Sequence, residues 1–244
     1  MGLTIHYKLH APHLRSFDEA HALVARLHDF AAGLHFQECG DIQLIERFDD
    51  PMLRTFLSYL KPYKSDDGEE SFLEIHPLRV ALFAVQQEGS ETATFGLSRF
   101  ADTAADIRDS SITRPSGLGQ GYHWSRFCKT QFASLSNAGG WDNFFKIHDG
   151  ICRILDHARS LGLQIEVHDE SEYFTKRDVP ALKNEIDRWN QLVAAFTGRL
   201  KDRLHKPGAV VSPITDTPEF EHLEHQGQDI LGDFDIDEID LSDQ

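Results

Sequence analysis

Hydrophobic and polar positions alternate with a period of two over residues 3 to 9, where Leu3, Ile5, Tyr7 and Leu9 interleave with Thr4, His6 and Lys8. Successive side chains of a strand point to opposite faces, so this segment predicts a half-buried strand. The period then changes. Ser16 and Glu19 stand three apart as a capping box, Ala20, Leu23, Val24, Leu27 and Ala31 recur at helical spacing, and Gly33 supplies a stop, which predicts a helix. IQLIER, residues 42 to 47, reads as a short strand, Asp50-Pro51 opens a helix through Leu60, and KPYKSDDGEE, 61 to 70, reads as a polar loop. Three strands are expected at 71–76, 79–87 and 91–100, the last two joined by a hairpin turn at EGS.

Residues 101–120, ending in SGLGQG, read as a flexible connection, and HWSRFCKTQFA as a strand. Phe144, Ile147, Ile151, Ile154, Leu155 and Ala158 mark the inward face of a helix over 141–161. LQIEVHD, 163–169, alternates as a strand. A last long helix, with Pro180 in its first turn, runs from about Asp178 to His205 and buries Leu182, Ile186, Trp189, Val193, Phe196 and Leu200.

Strand and helix patterns thus alternate as βαβα, then strands, then βαβα. The fold class expected is α/β (α+β): a two-layer sandwich of two similar βαβα-like halves around one mixed sheet, compatible with a ferredoxin-like topology. Residues 1–208 form the globular domain, with halves at 1–100 and 121–208 and a linker at 101–120. Residues 209–244 form an acidic tail expected to be disordered.

Charge sharpens that division. The chain carries −16, but eleven of its carboxylates lie between Thr215 and Gln244, where there is no Lys or Arg, leaving the body at about −5. Neither part offers a broad basic surface, so nucleic acid is not an expected partner. No run of about 18 apolar residues would span a bilayer, and MGLTIHYKLHAPH lacks the features of a secretory signal. A cytoplasmic location and no membrane partner are expected. Cys39, Cys128 and Cys152 are odd in number and far apart, which suits reduced thiols. In the tail, Ile230, Leu231, Phe234, Ile236, Ile239 and Leu241 are spaced among acids, a pattern suited to docking on a protein partner or to folding back on the domain.

Candidate chemistry concentrates on polar strand faces. Glu74 and His76, and again Glu166 and His168, stand two apart and share a face. His6 with Lys8, and Lys129 with Gln131, occupy the matching face of two further strands. If those strands are neighbours, the face could hold a divalent metal through His6, His76 and His168, or a small-molecule ligand. The candidate ligand-binding set is His6, Glu74, His76, His123, Lys129, Gln131, Glu166, His168, Glu172 and Tyr173, the last two from DESEYF at a strand end. Cys128 falls on the apolar face of its strand, where a thiol is inert; His148 and Cys152, four apart on a helix, have the spacing of two zinc ligands, but with no second pair in the sequence they are expected in the interior or at its rim.

TFGLSRF, HWSRFCKTQFAS, GGWDNFFKIH and HDESEYFTKRD resemble motifs of a bacterial family of uncharacterised proteins marked by FCKTQ[FY]AS. The resemblance covers most of residues 1–206 and implies a bacterial source; it transfers no functional residue, and the tail lies outside it. The function expected is a small-molecule or protein-binding module with an acidic docking tail. The alternative is a metal-assisted hydrolase using His6, His76, His168, Glu74 and Glu166.

Overall fold

A computed structural model describes residues 3–65, 68–204 and 210–232. In chain order its elements are β1 (Thr4–Ala11), α1 (Phe17–Ala32), β2 (Glu38–Cys39), β3 (Gln43–Ile45), α2 (Pro51–Leu57), β4 (Tyr59–Lys64), β5 (Glu70–Ile75), β6 (Pro77–Gln86) and β7 (Ala93–Phe100). There follow β8 (Thr103–Asp106), β9 (Thr113–Pro115), β10 (Tyr122–Lys129), α3 (Gly140–Ser160), β11 (Gln164–Asp169), α4 (Tyr173–Lys176), α5 (Val179–Leu204) and α6 (Phe220–Leu231).

The capping chemistry read from the sequence starts the first two helices. Ser16 Oγ accepts from the Glu19 backbone N–H at 3.2 Å while the Glu19 carboxylate accepts from that of Ser16, and Asp50 Oδ1 accepts from the N–H of Met52 ahead of α2. The main sheet runs β11-β1-β10-β7-β6-β2, with β3 also on β6. Its pairings are antiparallel throughout, so the expected mixed sheet is corrected within the α+β class. The order β11-β1-β10-β7 is that of a ferredoxin-like core. Units β1-α1-β7 and β10-α3-β11 each span a strand belonging to the other, so the two halves interleave in one sheet. Helix α1 packs on β6 and β7, α3 on β11, and the two helices touch. Tyr7, Leu27, Phe83, Phe95, Trp124, Phe144 and Ile151 are among the residues of the core between sheet and helices.

A second sheet, β4-β5-β8-β9, encloses a small core of Leu73, Ile75, Phe100 and Ala104. It corrects two expectations. The polar loop at 61–70 begins as strand β4, whose Pro62 lacks an N–H and is tolerated because β4 lies at a sheet edge. The linker at 101–120 contains β8 and β9, which pair with each other and, through β8, with β5. Asp106 ties this layer together: its carboxylate accepts from the hydroxyls of Tyr63 and Ser71 and from the N–H groups of Arg108 and Asp109.

The disordered reading of 209–244 also fails over residues 210–232. Pro213–Asp216 forms a 3-10 turn and α6 lies along α5, burying Ile214 and Phe220 against Leu135 and Ala194. The remainder of the tail, 233–244, lies outside the described residues. None of the described helices is long and apolar enough to cross a membrane.

Candidate functional site

Three adjacent strands compose the site. In the register of β11, β1 and β10, His168, His6 and Phe127 form one row, Glu166, Lys8 and Ser125 the next, and Gln164, His10 and His123 the third. The alternation of β1 sends these side chains away from the helices while Ile5, Tyr7 and Leu9 enter the core. Lys8 Nζ donates to Glu166 Oε2 at 3.0 Å, a bond that raises the ammonium above its ordinary value. His6 stands 5.6 Å from the Phe127 ring and 6.1 Å from that of His168, and His10 stacks on His123 at 4.1 Å. Burial lowers His123, opposed by its bond to the Gln120 carbonyl.

A cleft of about 640 Å³ opens over the first two rows, with Phe56 of α2 as a further wall. Phe56 and Phe127 are both more than half exposed there. Arg126 also lines the cleft. Its guanidinium lies 4.5 Å over Trp124 and 5.0 Å over Phe56, and its terminal nitrogens donate to the carbonyls of Ser125 and Phe56. Its Nε is buried without a partner, and no carboxylate among the described residues forms an ion pair with it. Burial pushes the guanidinium down, with Tyr7 opposing. Beside it the sheet opens locally. β10 pairs with β7 only at His123–Ser98, and the Thr94 carbonyl is taken instead by Tyr7 Oη and Trp124 Nε1, both at 2.8 Å.

The structure brings together His6, Glu166 and His168 from the candidate set. His123 lies two rows from His6 on the same face, and Lys129, opposite Thr4, places its ammonium over the Phe132 ring. The others separate. Glu74 belongs to the smaller sheet, in β5, and His76 is the connecting residue between β5 and β6; His76 Nδ1 is 3.8 Å from Glu74 and 3.0 Å from Ser58 Oγ, and neither lines the cleft. The strand ends at Lys129, so Gln131 enters a 3-10 turn and is buried against Asn190 rather than facing the cleft. Glu172 pairs with Lys176 at a helix start, and Tyr173 is buried with its hydroxyl donating to Asp149 at 2.9 Å.

The metal set His6, His76 and His168 is likewise corrected, because the donor atoms do not gather. Among the described residues, the group of three or more His, Cys, Asp or Glu whose donors all lie within 4.8 Å of one another is His148, Cys152 and Asp169. Sequence reasoning missed Arg126, assigned to the apolar face with Trp124, and Phe56 on α2. Phe127 carried a signal: a large aromatic on an otherwise polar strand face, between Ser125 and Lys129. No family model, curated protein or solved structure matches this chain.

Proposed function

We propose that the protein is a cytosolic binding module that takes a small anionic ligand bearing a flat, apolar part into the cleft over β1, β10 and β11. Arg126 carries this reading. A guanidinium drawn out of water with an unpartnered Nε and no ion-paired carboxylate among the described residues is a costly arrangement, and an incoming carboxylate or phosphate relieves it through charge-assisted bonds. Lys8 adds a second cation at the rim, partly neutralised by Glu166. Phe56, Phe127 and the His6 ring offer faces for a flat group. Stacking walls with one desolvated cation suit recognition rather than bond cleavage, since the cleft presents no nucleophile activated by a neighbouring base. Three free thiols, two of them buried, accord with a reducing compartment.

A thermal-shift screen tests this, with aryl carboxylates, aryl phosphates and their uncharged amide or alcohol counterparts as probes. Anionic aromatic probes should raise the melting temperature of the wild-type protein, their neutral counterparts should not, and Arg126→Met should abolish the response while remaining folded by circular dichroism. Equal shifts with charged and neutral probes, or shifts that survive Arg126→Met, would overturn the reading. The acidic C-terminus supplies a separate docking element in this proposal, for a partner with a basic, apolar groove.

A further inference from the structure

Behind β11, on the face opposite the cleft, lies a different set of groups. His148 and Cys152 stand one turn apart on α3, and Asp169, the last residue of β11, meets them from the sheet. His148 and Cys152 have no exposure and Asp169 almost none. We propose that these three side chains bind one divalent transition-metal ion, Zn²⁺ by preference, as a clamp between α3 and β11.

Geometry comes first. A tetrahedral ion with bonds of about 2.0–2.3 Å holds its donors roughly 3.3–3.8 Å apart. His148 Nε2 and Asp169 Oδ2 are 3.4 Å apart, at that spacing, while a charge-assisted hydrogen bond between them would close to about 2.7–2.9 Å. The Cys152 sulfur, within 4.8 Å of both, needs only a small side-chain adjustment. Ser171 Oγ, 3.1 Å from His148 Nε2, marks where a fourth ligand fits, whether that hydroxyl or a water.

The surrounding groups hold each donor as a metal ligand is held. Thr130 Oγ1 lies 2.9 Å from His148 Nδ1, so an Nδ1–H donated to that hydroxyl leaves the Nε2 lone pair facing the ion. Ser171, through its N–H and hydroxyl, fixes Asp169 Oδ1, and the Phe174 N–H fixes Oδ2. Charge agrees. Among the described residues no Lys or Arg forms an ion pair with Asp169, and a dication with one carboxylate and one thiolate sums to zero in the interior. On binding, the Cys152 S–H bond breaks, the sulfur forms the bond to the metal and the proton leaves to solvent, with no change of oxidation state. One imidazole, one thiolate and a single carboxylate select Zn²⁺ over Mg²⁺ or Ca²⁺, which require oxygen shells.

The untagged full-length chain, stripped with a chelator, should take up one equivalent of Co²⁺ with a thiolate-to-cobalt charge-transfer band in the near ultraviolet. Zn²⁺ should displace the band and raise the melting temperature; Mg²⁺ should do neither. Cys152→Ser should lose the band. The double variant Cys39→Ser/Cys128→Ser, which leaves Cys152 as the sole thiol, should keep it, and this arm stands even if Cys152→Ser fails to fold. Absence of a saturable band in the wild type, its loss in the double variant, or its survival in Cys152→Ser would each overturn the site. Cobalt held by surface imidazoles such as His6 and His168 would give no sulfur band and so also counts against it. None of these outcomes depends on the cleft ligand.

Discussion

Asp169 is nearly cut off from water, yet its carboxyl is held down at about 2. Burial alone would raise it; hydrogen bonds and charge from His148, with those of Ser171 and the Phe174 N–H, outweigh burial. The ordinary carboxyl value is about 3.9, so the unfolded chain binds this proton more tightly. The stabilisation is therefore complete above about pH 4 and lost as pH falls toward 2, worth about 2 kcal/mol. Urea unfolding of the chelator-stripped protein between those values should show this slope, and Asp169→Asn should flatten it. The cysteines differ for a related reason. Burial, with Glu91 nearby, pushes Cys128 up, and burial does the same to Cys152, whereas Cys39 is half-exposed and only modestly raised. A thiol reagent at mildly alkaline pH should label Cys39 first and the other two only on unfolding, with mass spectrometry of the digested protein as the readout. The inertness of Cys128 was legible in its sequence, because the period-two face it shares with Trp124, Arg126 and Thr130 is the more apolar one and carries the large Trp124 ring. The company of Asp169 with His148 and Cys152 was not, since they lie 21 and 17 residues away on another element.

Among elements, the contact between α5 and α6 is set by the smallest side chain available. A Cβ on Gly227 would stand 2.0 Å from the Gln191 carbonyl oxygen, so no larger residue allows α6 to lie where it does. Gly227→Ala should loosen α6 and destabilise the protein by about 1–3 kcal/mol, with faster amide exchange confined to 213–231. Exchange that remains as slow as in the wild type would show that the helix pair tolerates the methyl group. A parallel case is Gly96 in β7, where a Cβ would meet the Ala81 carbonyl at 2.5 Å. Helices α1 and α3 and the β6-β7 hairpin were readable because caps, periodicity and turn residues act within a few positions. Strands β4, β8 and β9 were not: they are short, β4 carries Pro62, and their stability comes from Leu73, Ile75 and Phe100 on other segments.

For the whole molecule, the acidic end of the chain also carries packing. Ile214 and Phe220 close a small core with Leu135 and Ala194. Deleting 210–244 should cost about 1–3 kcal/mol in a denaturant titration by exposing that core. An unchanged denaturation midpoint would show that the core holds without α6. The composition fixed the strong acidity and its concentration after Thr215. Local periodicity determined that β1, β10 and β11 would each have one polar face, and so placed His6, Glu166 and His168 among the candidates. Only the tertiary structure decided that those strands are neighbours, that Glu74 belongs to another sheet with His76 just past its strand, and that no carboxylate among the described residues pairs with Arg126. The physical reason is range: caps and alternation are written in adjacent residues, whereas strand order and charge pairing are set by which surfaces the packed core leaves facing each other.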